Sequence, residues 1–182
     1  MTDTAETYRR LADRFTDTVT RIPADRWDSP SPCEGWTARD VVGHVIETQS
    51  FPLTPAGLSL PSGPDVAADP VAAWATARDA VLEILEDPER AGREYDSRLG
   101  RTTVAATFGA FMAFDLVIHR WDLARATGLD ETIPAEDLAI ASGLAERMGD
   151  AIRSPGVCGP AVEVPAGADE QSRVLGILGR RP

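Results

Sequence analysis

The sequence predicts an all-α protein, a helix bundle with one long crossover connection. Three observations carry that expectation. Apolar residues recur at spacings of three and four in several separate segments, the mark of amphipathic helices. Capping residues, prolines and glycines sit where those segments start and stop. Between two of them, residues 51–70 hold five prolines and no apolar period, as a long connection or an irregular lid does. With 182 residues, the chain can bury one substantial core. No repeat is visible, and the reading is a single domain over 1–182.

The first helix is expected over 4–21. Tyr8, Leu11, Phe15, Val19 and Ile22 share its apolar stripe, and Pro23 ends it. The second is expected over 37–50. Thr37 and Asp40 form a capping-box pattern, with Asp in place of the commoner Glu. Val41, His44, Val45 and Thr48 lie on one side, and Val42 and Ile46 widen the apolar face. After the crossover, the third helix spans 71–87, with Val71, Trp74, Ala77, Val81 and Leu85 facing inward. The segment "PERAGREYDSRLGRTT" is polar and turn-rich, with Tyr95 and Leu99 as its expected anchors. Thr102 or Thr103 caps the fourth helix, 103–126, which stops at Gly128. Pro134 opens a fifth helix over 135–150. The tail, 151–182, reads as irregular, with one short extended piece and a final helical turn.

The formal charge of −11 disfavours a nucleic-acid partner, because a scattered acidic surface repels phosphate backbones. The segment "MTDTAETYRR" has no hydrophobic signal core, and no stretch approaches a membrane span. The expected setting is therefore soluble and cytoplasmic. Cys33 and Cys158 form no CxxC pair; reduced thiols are the default, with a disulfide left open. All 18 basic residues are arginine, and asparagine is absent too. Lysine and asparagine codons are A-rich, so this points to a GC-rich genome.

The chain has two histidines, one in each of two predicted helices. Both lie on apolar stripes, where an unpartnered polar group is costly. Asp115 and His119 stand four apart, on one helix face and one turn from each other. Helical residues at i and i+4 can converge on one metal ion, with His44 as the candidate third ligand. The plainer alternative is an ordinary Asp–His hydrogen bond. Asp122 and Glu47, each near one histidine, could orient the imidazoles; solvated helix-face charges are the expected reading. If both histidines bind metal, none is free as a general base, and no catalytic residue is assigned. Nucleophile-elbow, phosphate-loop, dinucleotide and H-E-x-x-H motifs are absent. Cys33, in "SPCEGWT", precedes a helix N-terminus. It is a nucleophile candidate there, though a small buried residue is the default. Trp36 and Trp121 fit either a pocket or the core.

"PCEGWTARDVVGHV" and "FDLVIHRWDLARATG" resemble the two signatures of the DinB-like, mycothiol-dependent maleylpyruvate isomerase N-terminal domain superfamily. The resemblance is closer to an actinobacterial branch of largely uncharacterised metal-binding proteins, which share "PCEGWT", "HRWDLARATG" and a closing "LGRRP". It covers essentially the whole chain. It implies a DinB-like four-helix bundle with a long crossover, plus here an extra helix and a short C-terminal tail. It also implies a divalent metal held by His44, Asp115 and His119. The isomerase has Glu where this chain has Asp115, and it carries a sizeable C-terminal domain where only a short tail is expected here, so its substrate is not carried over.

The resulting expectation is a metal-dependent thiol enzyme, a mycothiol-type transferase or isomerase acting on a small electrophile. Zinc is the first-choice ion, with nickel or iron as alternatives and mycothiol as the candidate thiol. Trp36, Phe111 and Trp121, with the 51–70 crossover, are the expected walls of the thiol site. The rival readings are a non-catalytic metal-binding bundle for storage, sensing or assembly, and a plain bundle without metal. Bundles of this kind commonly pair, so a homodimer is compatible with the reading.

Overall fold

In a computed structural model, which describes residues 4–154 and 157–182, the protein is mainly helical. The chain divides into two compact units, one ending at Glu131 and one beginning at Thr132.

The first unit is built on four helices. α1 (Thr4–Arg21) buries Tyr8, Leu11, Phe15 and Val19 along one stripe. A 3-10 turn, Ala24–Arg26, and a loop lead to α2 (Ala38–Thr48). The capping box forms there: the Asp40 N–H donates to Thr37 Oγ1 at 3.2 Å, and the Thr37 N–H donates to Asp40 Oδ2 at 2.8 Å. The Thr37 hydrogen bonds hold the Asp40 carboxyl below its ordinary range. A single turn, α3 (Ser50–Leu53), precedes the crossover. Arg39 ties the crossover back to the start of α2, donating to the Ala67 carbonyl at 3.0 Å. α4 (Pro70–Glu86) starts at Asp69, whose side chain accepts the Ala72 N–H at 2.9 Å.

α5 (Pro88–Ala91) follows, and then an antiparallel hairpin of β1 (Glu94–Ser97) and β2 (Gly100–Thr103). The last part comprises α6 (Val104–Thr107), a π-helical segment Phe108–Met112, and α7 (Ala113–Thr127). Both α1 and α2 pack against α4 and α7. That is the four-helix core, and Phe15 against Trp74 at 4.7 Å and Tyr8 edge-on to Phe108 at 5.6 Å fill it. Buried polar tips find partners: Trp74 Nε1 donates to Thr16 Oγ1 at 2.8 Å, and the Tyr8 hydroxyl donates to Gln49 Oε1 at 2.7 Å.

The structure departs from the sequence reading in three places. The polar segment after α5 is a hairpin rather than a loop. Tyr95 anchors it as expected, its hydroxyl 2.6 Å from Thr107 Oγ1, but Leu99 sits at the tip and is 74% exposed. The single helix expected over 103–126 is interrupted by the π segment. Its i→i+5 bonding rephases the faces on either side; Asp115 and His119 both follow it and keep the regular α spacing. Two residues of the expected irregular tail, 155 and 156, lie outside the described residues. The rest of the tail is more ordered than expected.

The second unit contains α8 (Ala135–Met148), a 3-10 turn over Gly149–Arg153 and α9 (Glu170–Ile177). α8 packs on α9, and the Ile133 N–H donates to Gln171 Oε1 at 2.7 Å. Gly176 lets the 160s strand of chain lie against α9, because a Cβ there would stand 2.8 Å from the Val162 carbonyl oxygen.

Trp74 is fully buried and Leu99 is not, which makes a paired test of the core. Trp74→Ala should lower unfolding free energy by about 3–5 kcal/mol. Leu99→Ala should change it by no more than about 0.5 kcal/mol. Denaturant unfolding followed by circular dichroism measures both.

Candidate metal centre

α7 is buried on nearly every side: Phe114, Leu116, Val117, Ile118, Trp121 and Leu123 are all inside. Asp115, His119 and Asp122 all lie on that helix. Asp115 and His119 face α2, where His44 meets them. His119 Nε2 lies 3.3 Å from Asp115 Oδ1, and His44 Nε2 lies 3.8 Å from the same oxygen. The two imidazole rings stand 4.9 Å apart, nearly perpendicular at 77°. All three ligand-type atoms fall within 4.8 Å of one another. Ligand atoms at about 2.1 Å from a tetrahedral zinc are about 3.4 Å apart, so the observed separations suit one shared ion. His44 and Asp115 keep 25% and 18% of their side-chain surface exposed, against 9% for His119. The group therefore opens to solvent on the His44–Asp115 side.

Each of the three has a neighbour that fixes it. Thr48, one turn after His44, donates to Asp115 Oδ2 at 3.0 Å, which leaves Oδ1 for the space between the imidazoles. Asp122 Oδ2 lies 2.9 Å from His119 Nδ1, so Nε2 is the nitrogen presented to that space. This carboxylate–imidazole pairing is the one that metal-ligating histidines characteristically use. Trp36 covers both rings, 4.6 Å from that of His44 and 6.1 Å from that of His119.

The expectation that Asp122 is a solvated charge is corrected: its side chain is 0% exposed. Sequence reasoning also did not place Cys33 here, yet its Sγ lies 3.3 Å from Asp122 Oδ2. Neither Cys33 nor Cys158 is in a disulfide. Glu47 is exposed and lines a different cavity.

The comparisons with known proteins bear on the same segments. The family model described as "Mycothiol maleylpyruvate isomerase N-terminal domain" matches residues 8–54, the stretch that carries α1, the "PCEGWT" loop and His44. The chain is 30% identical to "Uncharacterized protein Rv0738" of Mycobacterium tuberculosis (strain ATCC 25618 / H37Rv) over 155 residues, 82% of this chain and 81% of that protein. The chain belongs to the same family as this protein. "Uncharacterized protein MT0763" of strain CDC 1551 / Oshkosh matches equally well. "Uncharacterized protein Rv0036c" is 39% identical over 46 residues, 25% of this chain and 18% of that protein. No solved structure matches.

Of the aromatic walls expected for this family member, Trp36 is the one against the histidines. Trp121 is fully buried, with the Arg125 guanidinium 5.1 Å from its ring centre. It belongs to the core. Phe111 lies half-buried within the π segment. The crossover does line a cavity, of about 280 Å³, between α2 and α4. Ile46, Glu47, Ser50, Leu60 and Thr76 are among its walls, and none of the three aromatics is. Among the described residues, no helix is long and apolar enough to cross a membrane.

Without an ion, the site is a charged pair. Burial alone would push His119 down, but the Asp115 charge and hydrogen bonds to Asp115, Asp122 and Cys33 hold it well above its ordinary value. Burial would push Asp115 up, but the charge and close approach of His119, with His44 beside it, hold it well below the usual carboxylate range. The raised imidazole stabilises the fold fully below its unfolded value of about 6.5, and that contribution is lost as pH rises through the folded value. The depressed carboxyl contributes fully above about 4, and its contribution is lost toward acid. In metal-free protein, the stability difference between wild type and Asp115→Asn should therefore be greatest between about pH 4 and 6.5. It should shrink as pH rises further. Thermal unfolding of both proteins across pH 4–9 checks this.

Proposed function

We propose that the protein is a divalent-metal-dependent thiol enzyme. In this reading it is a transferase or isomerase that brings a mycothiol-type small-molecule thiol to a small electrophile. The observation that carries the reading is the approach of His44, Asp115 and His119 to within 4.8 Å on a partly exposed face. The family description supplies the thiol class.

His44 Nε2, His119 Nε2 and Asp115 Oδ1 would hold the ion. Two imidazoles and one carboxylate suit zinc first, with nickel and iron as alternatives. A bound divalent ion lowers the pKa of a coordinated thiol or water and so supplies a nucleophile near neutral pH. The chain does the remaining work. Thr48 holds Asp115 to one free oxygen, and Asp122 accepts a hydrogen bond from Nδ1 of His119. Trp36, which covers both histidine rings, would provide apolar surface for the thiol and electrophile. His119 must give up its Nε2 proton for the site to fill, so metal affinity should rise with pH.

The second reading is a metal-binding protein without catalysis. The observation in its favour is that the 280 Å³ cavity is lined by none of the three proposed ligands.

His44→Ala and His119→Ala should each weaken zinc binding by more than about a hundredfold, beyond the usual cost of losing an outer partner. The helical circular dichroism spectrum should be unchanged. Asp115→Asn should do less damage, since an amide oxygen still coordinates without charge. Thiol conjugation against a panel of small electrophiles should fall with metal content. Metal binding and conjugation that both survive the two histidine changes would refute the proposal. Metal-dependent folding or binding with no thiol reaction for any electrophile would favour the second reading.

A further inference from the structure

The tetrapeptide Cys33-Glu34-Gly35-Trp36 has a geometry that the proposed ligands alone do not account for. The Trp36 N–H donates to the Cys33 carbonyl at 3.0 Å, closing a β-turn. Gly35 sits at its third position with φ +79°, the conformation that a type II turn demands and that glycine adopts without strain. The Ser31 N–H donates to the Trp36 carbonyl at 2.8 Å, and the Cys33 N–H donates to Ser31 Oγ at 3.1 Å. The turn is thus stapled to the strand of chain before it. Its two ends reach the two histidines. Trp36 packs on the His44 ring at 4.6 Å, and Cys33 Sγ lies 3.3 Å from the oxygen of Asp122 that meets His119 Nδ1.

We propose that Cys33 is a positioning residue for His119. Its thiol donates to the Asp122 carboxylate and keeps that carboxylate against Nδ1 of His119, so that Nε2 faces Asp115 and His44. The turn then grips both histidines at once, His44 through the indole of Trp36 and His119 through the thiol and Asp122. The consequence for metal affinity rests on the proposed metal centre; the hydrogen-bond chain itself does not.

Cys33, His119 and Asp122 also lie close enough together to be ligands of an ion of their own. Two features assign the thiol the donor role instead. Asp122 is fully buried, and only Cys33 of this trio is partly exposed, whereas both His44 and Asp115 are partly exposed in the other group. An ion there would also have to break the 2.9 Å contact between Asp122 and Nδ1. A thiol is a weak donor, but beside a buried carboxylate it fills a space that water would otherwise enter.

The test compares full-length wild type with Cys33→Ser and Cys33→Ala by two readouts. One is zinc affinity by chelator competition. The other is solvent exchange of the His119 Nδ1–H proton, followed by NMR in metal-free protein. Serine keeps a donor, so Cys33→Ser should bind zinc within about threefold of wild type and keep the proton protected. Cys33→Ala should bind about tenfold more weakly, at the low end for loss of an outer partner, with visibly faster exchange. Alanine matching wild type in both readouts, or serine as damaging as alanine, overturns the proposal. So does a thiolate-to-cobalt charge-transfer band in the cobalt-loaded wild type that disappears in Cys33→Ser, because that makes Cys33 a ligand. If wild type takes up no metal, the proposed function fails, and the exchange measurement still decides the role of Cys33.

Discussion

The contact between His119 Nδ1 and the fully buried carboxylate of Asp122 joins two polar groups inside a helix that is apolar on nearly every side. A charge in that position is tolerated only when it is paired and hydrogen-bonded. The pairing sets the direction of the imidazole, and the direction sets where its other nitrogen points. Asp115, one turn back, is then the natural partner for Nε2. α2 must come close enough to offer Thr48 to one Asp115 oxygen and His44 to the other. The loop before α2 must in turn carry Cys33 and Trp36 to the same place. The capping box at Thr37 and Asp40 starts α2 immediately after that turn, so the turn and the helix are fixed together.

Much of this was legible in the sequence. The four bundle helices, the Thr37 cap, the Gly128 stop and the long crossover all follow from spacing and from residues with restricted backbones. The approach of Asp115 to His119 follows from helix geometry. Their approach to His44 needed the resemblance to a known family, since a helical period says nothing about which helices meet. Asp122 was misread for a definite reason. A charged residue on an amphipathic helix marks the wet face, but α7 is buried on nearly every side, and there a charge is no guide to exposure. Cys33 was out of reach, because it meets Asp122 across 89 residues through a weak donor. The hairpin was missed because β1 and β2 are mostly polar and only Tyr95 is buried.

The π segment just before Asp115 has a bearing on the site. An uninterrupted helix from Thr103 would carry the faces of residues 104–107 and those of α7 in one phase. The π turn shifts that phase, so that Phe108 can pack on Tyr8 while Asp115 and His119 face α2. The family match ends at residue 54, before this segment. Trp121, expected beside the ligands, instead fills the core, where the bundle needs its volume.

The central claim is that one divalent ion is held by His44, Asp115 and His119. Anomalous diffraction at the zinc edge, on crystals grown with zinc, tests it most directly. The account predicts one strong peak per chain at about 2.0–2.2 Å from both Nε2 atoms and an Asp115 oxygen. No peak at that position, or a peak beside Cys33 and Asp122 in its place, would contradict it.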